Sequence, residues 1–199
     1  LSEDCRYFQD VHQGMPLEGY TPLFQRMLDH PNITVELNTD AAARIRLEDG
    51  RVYLDGAPFA GTVIYTGAAD CRYGRLPYRT LDFVFETHPV DFWQSHGTVN
   101  YTVDQDYTRI TEFKYLTGQE LPGATTIAKE FSRAYTGRPD EVPYYAIINP
   151  ENNALYARYA AEAERYPDFH LLGRLAEYKY YNMDAIAARA LELCDDLLK

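Results

Sequence analysis

From residue 71 to about 146 the sequence is broken at short intervals by Gly, Pro or Asp. The pieces between, LDFVFET, GTVNYTV, YTRITEFKYL, TTIAKEFS and VPYYAII, are dense in β-branched and aromatic residues. Such side chains suit a pleated surface, so this stretch reads as successive antiparallel strands. The flanks obey other periods. TPLFQRMLDH places Thr21 in an N-cap position, Pro22 at the first helical position and Leu23, Phe24, Met27 and Leu28 on one stripe, predicting a short amphipathic helix. ITVELNTD alternates Ile33, Val35 and Leu37 as a strand would. RIRLEDGRVYLDG sets Asp49-Gly50 between two alternating runs, a hairpin signature. TVIYTGAAD reads as a strand. After Asn149-Pro150, NNALYARYAAEAERY reads as a helix, DFHLLG as a short strand and MDAIAARALELCDDLL as a closing helix. The expectation is an α+β fold, with an antiparallel sheet over 71–146 set between α/β pieces at 1–70 and 147–199.

Charge and motifs narrow what this fold carries. A formal charge of -11 argues against a general nucleic-acid or anionic-membrane surface, so an anionic ligand must be held by local cations. Cys5, Cys71 and Cys194 are odd in number and widely spaced, which suits a reducing, cytoplasmic compartment and no metal. His88 and His96 in THPVDFWQSH lack metal-ligand spacing, and Asp195-Asp196 reads as solvated charge. No G-x-S-x-G, G-x-x-x-x-G-K-[ST] or G-x-G-x-x-G occurs, and no apolar run is long enough to span a bilayer. The chain starts at Leu1 in a polar, aromatic segment, so it reads as a fragment.

The chemistry-bearing residues are arginines set among aromatics: Arg79 in LPYRTLDF, Arg109 in DYTRITEFKY and Arg174 in GRLAEYKYYNMD. A strand arginine is expensive to desolvate and needs a partner such as Glu112 or Glu130, or a ligand phosphate. In GRLAEYKYYNMD, Arg174 and Lys179 crowd with Tyr178, Tyr180 and Tyr181 against a helix start, where unpaired N–H groups and the dipole favour anions. Two readings stay open there: a phosphate site built from phenol and guanidinium donors, or a packing segment with snorkelling cations.

Taken in order, QGMPLEGYT, YTGAADCRYGRLPYRTLDF, VNYTVDQDYTRITEFKY, KEFSRAY, VPYYAI and GRLAEYKYYNMD resemble the UDP-galactopyranose mutase family across essentially the whole chain. The resemblance implies an isomerase that interconverts UDP-galactopyranose and UDP-galactofuranose with reduced FAD and no net redox change. It implies that Arg109 contacts the substrate diphosphate, that the Tyr145 and Tyr180 hydroxyls reach the phosphates, and that Asn100 also binds substrate. Tyr7 and Phe8 match the aromatic pair at the uridine side. Arg79 and Glu130 match buried residues around the active site, as a charge-supporting shell. Gly173, Arg174, Asn182 and Met183 match the flavin contact at the final helix. Phe113 stands where many bacterial members have His, and Asn182 where others have Asp, though Asn can still cap a helix. The family's Rossmann glycines are absent, so the chain resembles its C-terminal half and is expected to be inactive alone, with a homodimer as one assembly open to the parent. The rival expectation is a non-catalytic module that binds a sugar nucleotide or a protein.

Overall fold

The strand-rich stretch does build an antiparallel sheet in the computed structural model, which describes residues 10–69 and 76–199. Cys5, Tyr7, Phe8 and Cys71 lie outside the described residues. Helix α1 (Tyr20–Leu28) forms where the stripe predicts one, but its N-cap is Gly19 at φ +82° rather than Thr21. The expected strand at ITVELNTD does not form. Ile33, Val35 and Leu37 stay exposed there, because alternation prepares a strand but only a neighbour's ladder completes one. A one-turn helix α2 (Ala41–Arg44) follows, its first turn capped by the Asp40 carboxylate, which accepts the Ala42 N–H at 3.0 Å. Strands β1 (Ile45–Glu48) and β2 (Arg51–Leu54) are the predicted hairpin. Asp49 and Gly50 both take positive φ, +48° and +73°, the sign pattern whose twist matches the flanking strands. Strand β3 (Ala57–Pro58) pairs with β2. Strand β4 (Val63–Tyr65) pairs in parallel with the distant segment Phe169–Leu171.

The predicted sheet comprises β5 (Tyr78–His88), β6 (Thr98–Asn100), β7 (Arg109–Glu112), β8 (Thr125–Ala134) and β9 (Tyr145–Ala146), in the order β6-β7-β8-β5-β9. One boundary differs from expectation. The strand in YTRITEFKYL stops at Glu112, and Phe113–Thr117 wind into a short helix, α3, closed by Gly118 at φ +66°. A left-handed glycine after the last turn is a helix-ending signal that strand propensity masks here. Helix α4 (Pro150–Ala163) starts as read, with Pro150 in its first turn and the Asn149 side chain accepting the Asn152 N–H at 2.8 Å. Strand β10 (Phe169–Leu171) is the partner of β4, and helix α5 (Met183–Leu197) ends the fold.

Contacts divide the chain into two units, one of Leu1–Leu37 with Phe83–Glu130, the other of Asn38–Asp82 with Phe131–Lys199. These divisions fall elsewhere than 70/71 and 146/147. The second unit has a core of Leu76, Tyr78, Tyr159 and Tyr178, against which Tyr135, Leu155 and Tyr156 pack. It also holds a charged knot. Arg133 grips Asp82 through two nitrogens, at 2.6 and 2.9 Å, and pairs with the buried Glu141. Glu141 further accepts the N–H groups of Thr136 at 2.7 Å and Gly137 at 3.0 Å.

Burial pushes the Glu141 carboxyl up, but the bonds from Arg133 and Thr136 outweigh it and hold the pKa down at about 2. A carboxylate depressed by folding contributes stability above its unfolded pKa and loses it as pH falls through the folded value. The window is from 4.5, its ordinary value, down to about 2. Glu141→Gln is therefore expected to lower the Tm at neutral pH and to flatten its fall across that window. Wild-type and variant Tm curves running parallel through it would remove this role.

Candidate active site

Three of the sequence-predicted residues meet in one lateral row of the first unit. Asn100 on β6 pairs across the sheet with Arg109 on β7, and Arg109 pairs with Glu130 on β8, so all three side chains share a face. The Arg109 Nε donates to Asn100 Oδ1 at 2.9 Å, and a terminal nitrogen lies 3.7 Å from a Glu130 oxygen. That second separation is an ion pair beyond hydrogen-bonding range. The guanidinium is oriented by Asn100 and steadied by Glu130, yet its terminal N–H groups make no hydrogen bond to the described residues. Its side chain is only 28% exposed, so it is largely shielded from water.

Glu112, the other partner considered for Arg109, serves a different purpose. Adjacent to Phe113 but one step out of phase with Arg109, it is fully buried. One oxygen accepts the Trp93 N–H at 2.9 Å and the Thr125 hydroxyl at 2.6 Å; the other accepts the Gln94 N–H at 3.0 Å. Burial pushes its carboxyl up, but these bonds prevail and hold it below the usual carboxylate range. Lys114 is likewise buried, donating to the Asp91 carbonyl at 3.0 Å and to the Leu121 carbonyl. Both are structural ions that sequence pattern alone gave no means of distinguishing from surface charge.

A second cluster forms in the other unit. The Arg174 guanidinium stacks over three phenol rings, 4.6 Å from the Tyr180 centroid, 5.1 Å from Tyr145 and 5.9 Å from Tyr144. One nitrogen donates to the Tyr181 carbonyl at 2.5 Å, just ahead of α5. Tyr145 and Tyr180 stack on each other at 5.7 Å. The structure thus brings Arg174, Tyr145 and Tyr180 together. Asn182 is the N-cap of α5, but its side chain makes no cap bond, contrary to expectation. It and Met183 are exposed at the helix start. Gly173 is buried at φ +105°, a value that favours glycine, and its N–H donates to Glu177 at 2.8 Å.

Arg79 departs from expectation too. It is exposed, not buried, donates to the Ser132 hydroxyl at 3.1 Å, and lies opposite Tyr145 in the sheet. Strand β9 is two residues long and covers little of it. Glu130, by contrast, is largely buried as expected.

The tyrosines of GRLAEYKYYNMD divide by burial. Tyr178 is core: its hydroxyl donates to the Pro77 carbonyl at 2.6 Å and accepts the Ile147 N–H at 3.2 Å, while its ring stacks on Tyr156. Tyr180 is half exposed, at 52%. Tyr178→Phe is accordingly expected to lower stability by about 1–3 kcal/mol, the cost of stranding buried backbone groups, and Tyr180→Phe to stay within about 0.5 kcal/mol. Equal melting temperatures for the two variants would contradict this division.

A separate cleft of about 290 Å³ in the second unit is lined by Leu47, Tyr65, Ala69, Tyr159 and Phe169 among others, and by none of the predicted site residues. Among the described residues no cluster of His, Cys, Asp and Glu could hold a metal ion, and no helix is long and apolar enough to cross a membrane.

Residues 1–180 match the family described as UDP-galactopyranose mutase. The chain belongs to the UDP-galactopyranose mutase family. A UDP-galactopyranose mutase of Mycoplasma pneumoniae is 37% identical over 207 residues, covering 100% of this chain and 52% of the relative. A "Probable UDP-galactopyranose mutase" of Klebsiella pneumoniae is 38% identical, covering 98% of this chain and 48% of the relative. A dTDP-fucopyranose mutase of Escherichia coli is 36% identical, covering 98% and 52% respectively. The chain thus spans about half the length of these relatives.

Proposed function

We propose that this chain supplies the diphosphate-binding and flavin-facing side chains of a cytoplasmic isomerase that interconverts UDP-galactopyranose and UDP-galactofuranose. The observation that carries the reading is Arg109: a half-buried guanidinium, oriented through Nε by Asn100, whose terminal N–H groups remain available for a bidentate phosphate contact. Glu130 tempers that charge without consuming those donors. Within the second unit, Tyr145 and Tyr180 are assigned as phenol donors to the phosphates, and Arg79 as a further cation. Tyr7 and Phe8 are assigned to the uridine. UDP-galactose is preferred over other nucleotide sugars because relatives carry that name, although one relative is named for a dTDP-sugar.

The residues at the start of α5 fit FAD. A fifteen-residue helix whose N-cap side chain makes no cap bond leaves backbone donors for an anion, and Arg174 adds a guanidinium within 5.1 Å of two tyrosine ring centroids. Gly173, Arg174, Asn182 and Met183 would hold the cofactor there. Bound in its reduced form, it would supply the electron pair that substitutes for UDP at the anomeric carbon, with no net redox change. What the chain's own residues contribute is charge neutralisation of the departing diphosphate by Arg109 and hydrogen-bond donation by the tyrosines.

The test is calorimetric titration of UDP into the chain and into its Arg109→Ala variant. Binding is expected in the first and loss of binding in the second at an unchanged Tm. Equal affinities would refute the Arg109 assignment.

A further inference from the structure

Asp-Gly occurs twice in the sequence, and both copies form two-residue hairpin turns in the second unit. Asp49 and Gly50 join β1 to β2 between the paired residues Glu48 and Arg51, at φ +48° and +73°. Asp55 and Gly56 join β2 to β3 between Leu54 and Ala57, at φ +52° and +81°. All four residues are exposed, and neither glycine N–H has a hydrogen-bond partner among the described residues. Equal loop length and equal signs of φ make these the same kind of turn.

Their carboxylates are not equivalent. Arg44 Nε donates to one Asp55 oxygen at 2.8 Å and a terminal nitrogen donates to the other at 2.5 Å, a fork that engages both oxygens. The Asp55 N–H in turn donates to the Arg44 carbonyl at 3.0 Å. Hydrogen bonding from Arg44 holds the Asp55 carboxyl below the usual carboxylate range. The Asp49 carboxylate makes no hydrogen bond or ion pair with the described residues, and the nearby Arg46 and Glu48 pair with each other at 3.2 Å.

That difference bears on a reaction of the Asp-Gly pair itself. The backbone nitrogen after an aspartate can close a five-membered ring on the side-chain Cγ, and glycine, with no side chain, hinders that nitrogen least. The nitrogen gives up its proton and bonds to Cγ, while the carboxyl hydroxyl leaves as water. Water then opens the succinimide at one of its two carbonyls. Attack at Cγ restores aspartate; attack at the main-chain carbonyl carbon leaves an isoaspartyl residue, with the chain running through Cβ and Cγ. One water leaves and one enters, so the mass is unchanged and no co-reactant is required. Closure needs a protonated carboxyl that is free to turn toward the nitrogen. Arg44 opposes both conditions at Asp55, and no described residue does so at Asp49.

We infer that Asp49 is a site of spontaneous isomerisation to isoaspartate, and that Arg44 shields Asp55, its structural twin, from the same reaction. The product inserts a methylene into the main chain at the turn that sets the β1–β2 register, in which Leu47 pairs with the buried Val52. It also places an α-carboxylate on the exposed hairpin tip, the group that an isoaspartyl carboxyl methyltransferase esterifies.

The test is incubation of the purified chain at neutral pH, followed by trypsin. Cleavage after Arg46 and Arg51 releases LEDGR, so the two Asp-Gly pairs fall in separate peptides. Isoaspartate in each is quantified by chromatography against synthetic isomers and placed by electron-transfer fragmentation. Folded wild type is expected to accumulate it at Asp49 about 2- to 5-fold faster than at Asp55, the range an exposed ion pair supports. In urea the two sites should react at similar rates, because the Arg44 fork is lost with the fold. Arg44→Ala should raise the Asp55 rate to that of Asp49 and leave Asp49 unchanged. Arg44→Lys, which keeps the charge and loses the fork, should fall between. Asp49→Glu should abolish the reaction at that turn, because its ring would need six members.

Equal rates in the folded wild type, a faster Asp55, or no isoaspartate at Asp49 overturns the inference. The same rate ratio in urea as in the folded chain also overturns it, since the difference would then come from local sequence. An Asp55 that stays slow in Arg44→Ala removes Arg44 as its shield. If Arg44→Ala instead raises both rates to their values in urea, the variant has unfolded, and Arg44→Lys decides.

Discussion

Glu112→Ala is expected to destabilise the first unit by about 3–5 kcal/mol, the largest stability change of any single substitution considered for this chain. The variant strands three donors at once, the N–H groups of Trp93 and Gln94 and the hydroxyl of Thr125, around a side chain with no exposure. Each buried donor left unpaired costs about 1–3 kcal/mol, and partial relaxation keeps the total below their sum. Trp93 is the chain's single tryptophan and a direct partner of the carboxylate, so its fluorescence during urea unfolding reads this region directly. Glu112→Gln should be milder but still destabilising, because the amide offers one acceptor oxygen where two are used. The folded-state depression of its pKa gives stability present above the ordinary carboxylate value and lost as pH falls below it. An Ala variant with the wild-type urea midpoint would show that Glu112 is not the pin of this unit.

Arg109→Ala is expected to reduce diphosphate-ligand affinity by about 2–5 kcal/mol, some 30- to 5,000-fold, while leaving the melting temperature nearly unchanged. The size follows from a charge-assisted contact in a site that is mostly shielded from water. The small stability effect follows from its partners. Asn100 is exposed and can turn to solvent, and Glu130 lies 3.7 Å away, too far to be losing a hydrogen bond. Arg109→Lys should recover only part of the loss, since a single ammonium cannot make two parallel bonds to a phosphate. In a family-length mutase carrying this sequence, the same Ala change should abolish turnover yet leave bound flavin absorbance intact. Near-normal turnover, or flavin lost together with activity, would move Arg109 out of the substrate role.

The residues that could be read correctly in advance are those whose signals are local. Asp49-Gly50 makes a hairpin because two successive residues there must take positive φ, and Asn149-Pro150 starts α4 because one side chain caps the turn that the next residue pre-forms. Family membership was legible for a similar reason: the motifs that carry the resemblance lie in short contiguous stretches of the sequence, and the family match covers residues 1–180. Burial was less legible. Arg79 and Arg109 sit in similar aromatic settings, yet one is exposed and the other shielded: one of the two strands beside Arg79 is only two residues long, whereas Arg109 is in register with Asn100 on one side and Glu130 on the other.

What the sequence alone determined is therefore the set of turns, caps and strand-forming runs, each specified by residues adjacent in the chain, together with the family to which they belong. Tertiary structure decided which groups meet. Ile33, Val35 and Leu37 alternate like a strand but find no ladder among the described residues, and Tyr178 and Tyr180, two positions apart, become a core pin and a surface ring. Glu112 and Glu130 were equal candidates beside Arg109 until strand register put Glu130 across from it and turned Glu112 inward. The physical reason is the two-residue period of a strand: a side chain's face is set by its pairing with strands far away in sequence, and a shift of one residue moves it to the opposite face of the sheet.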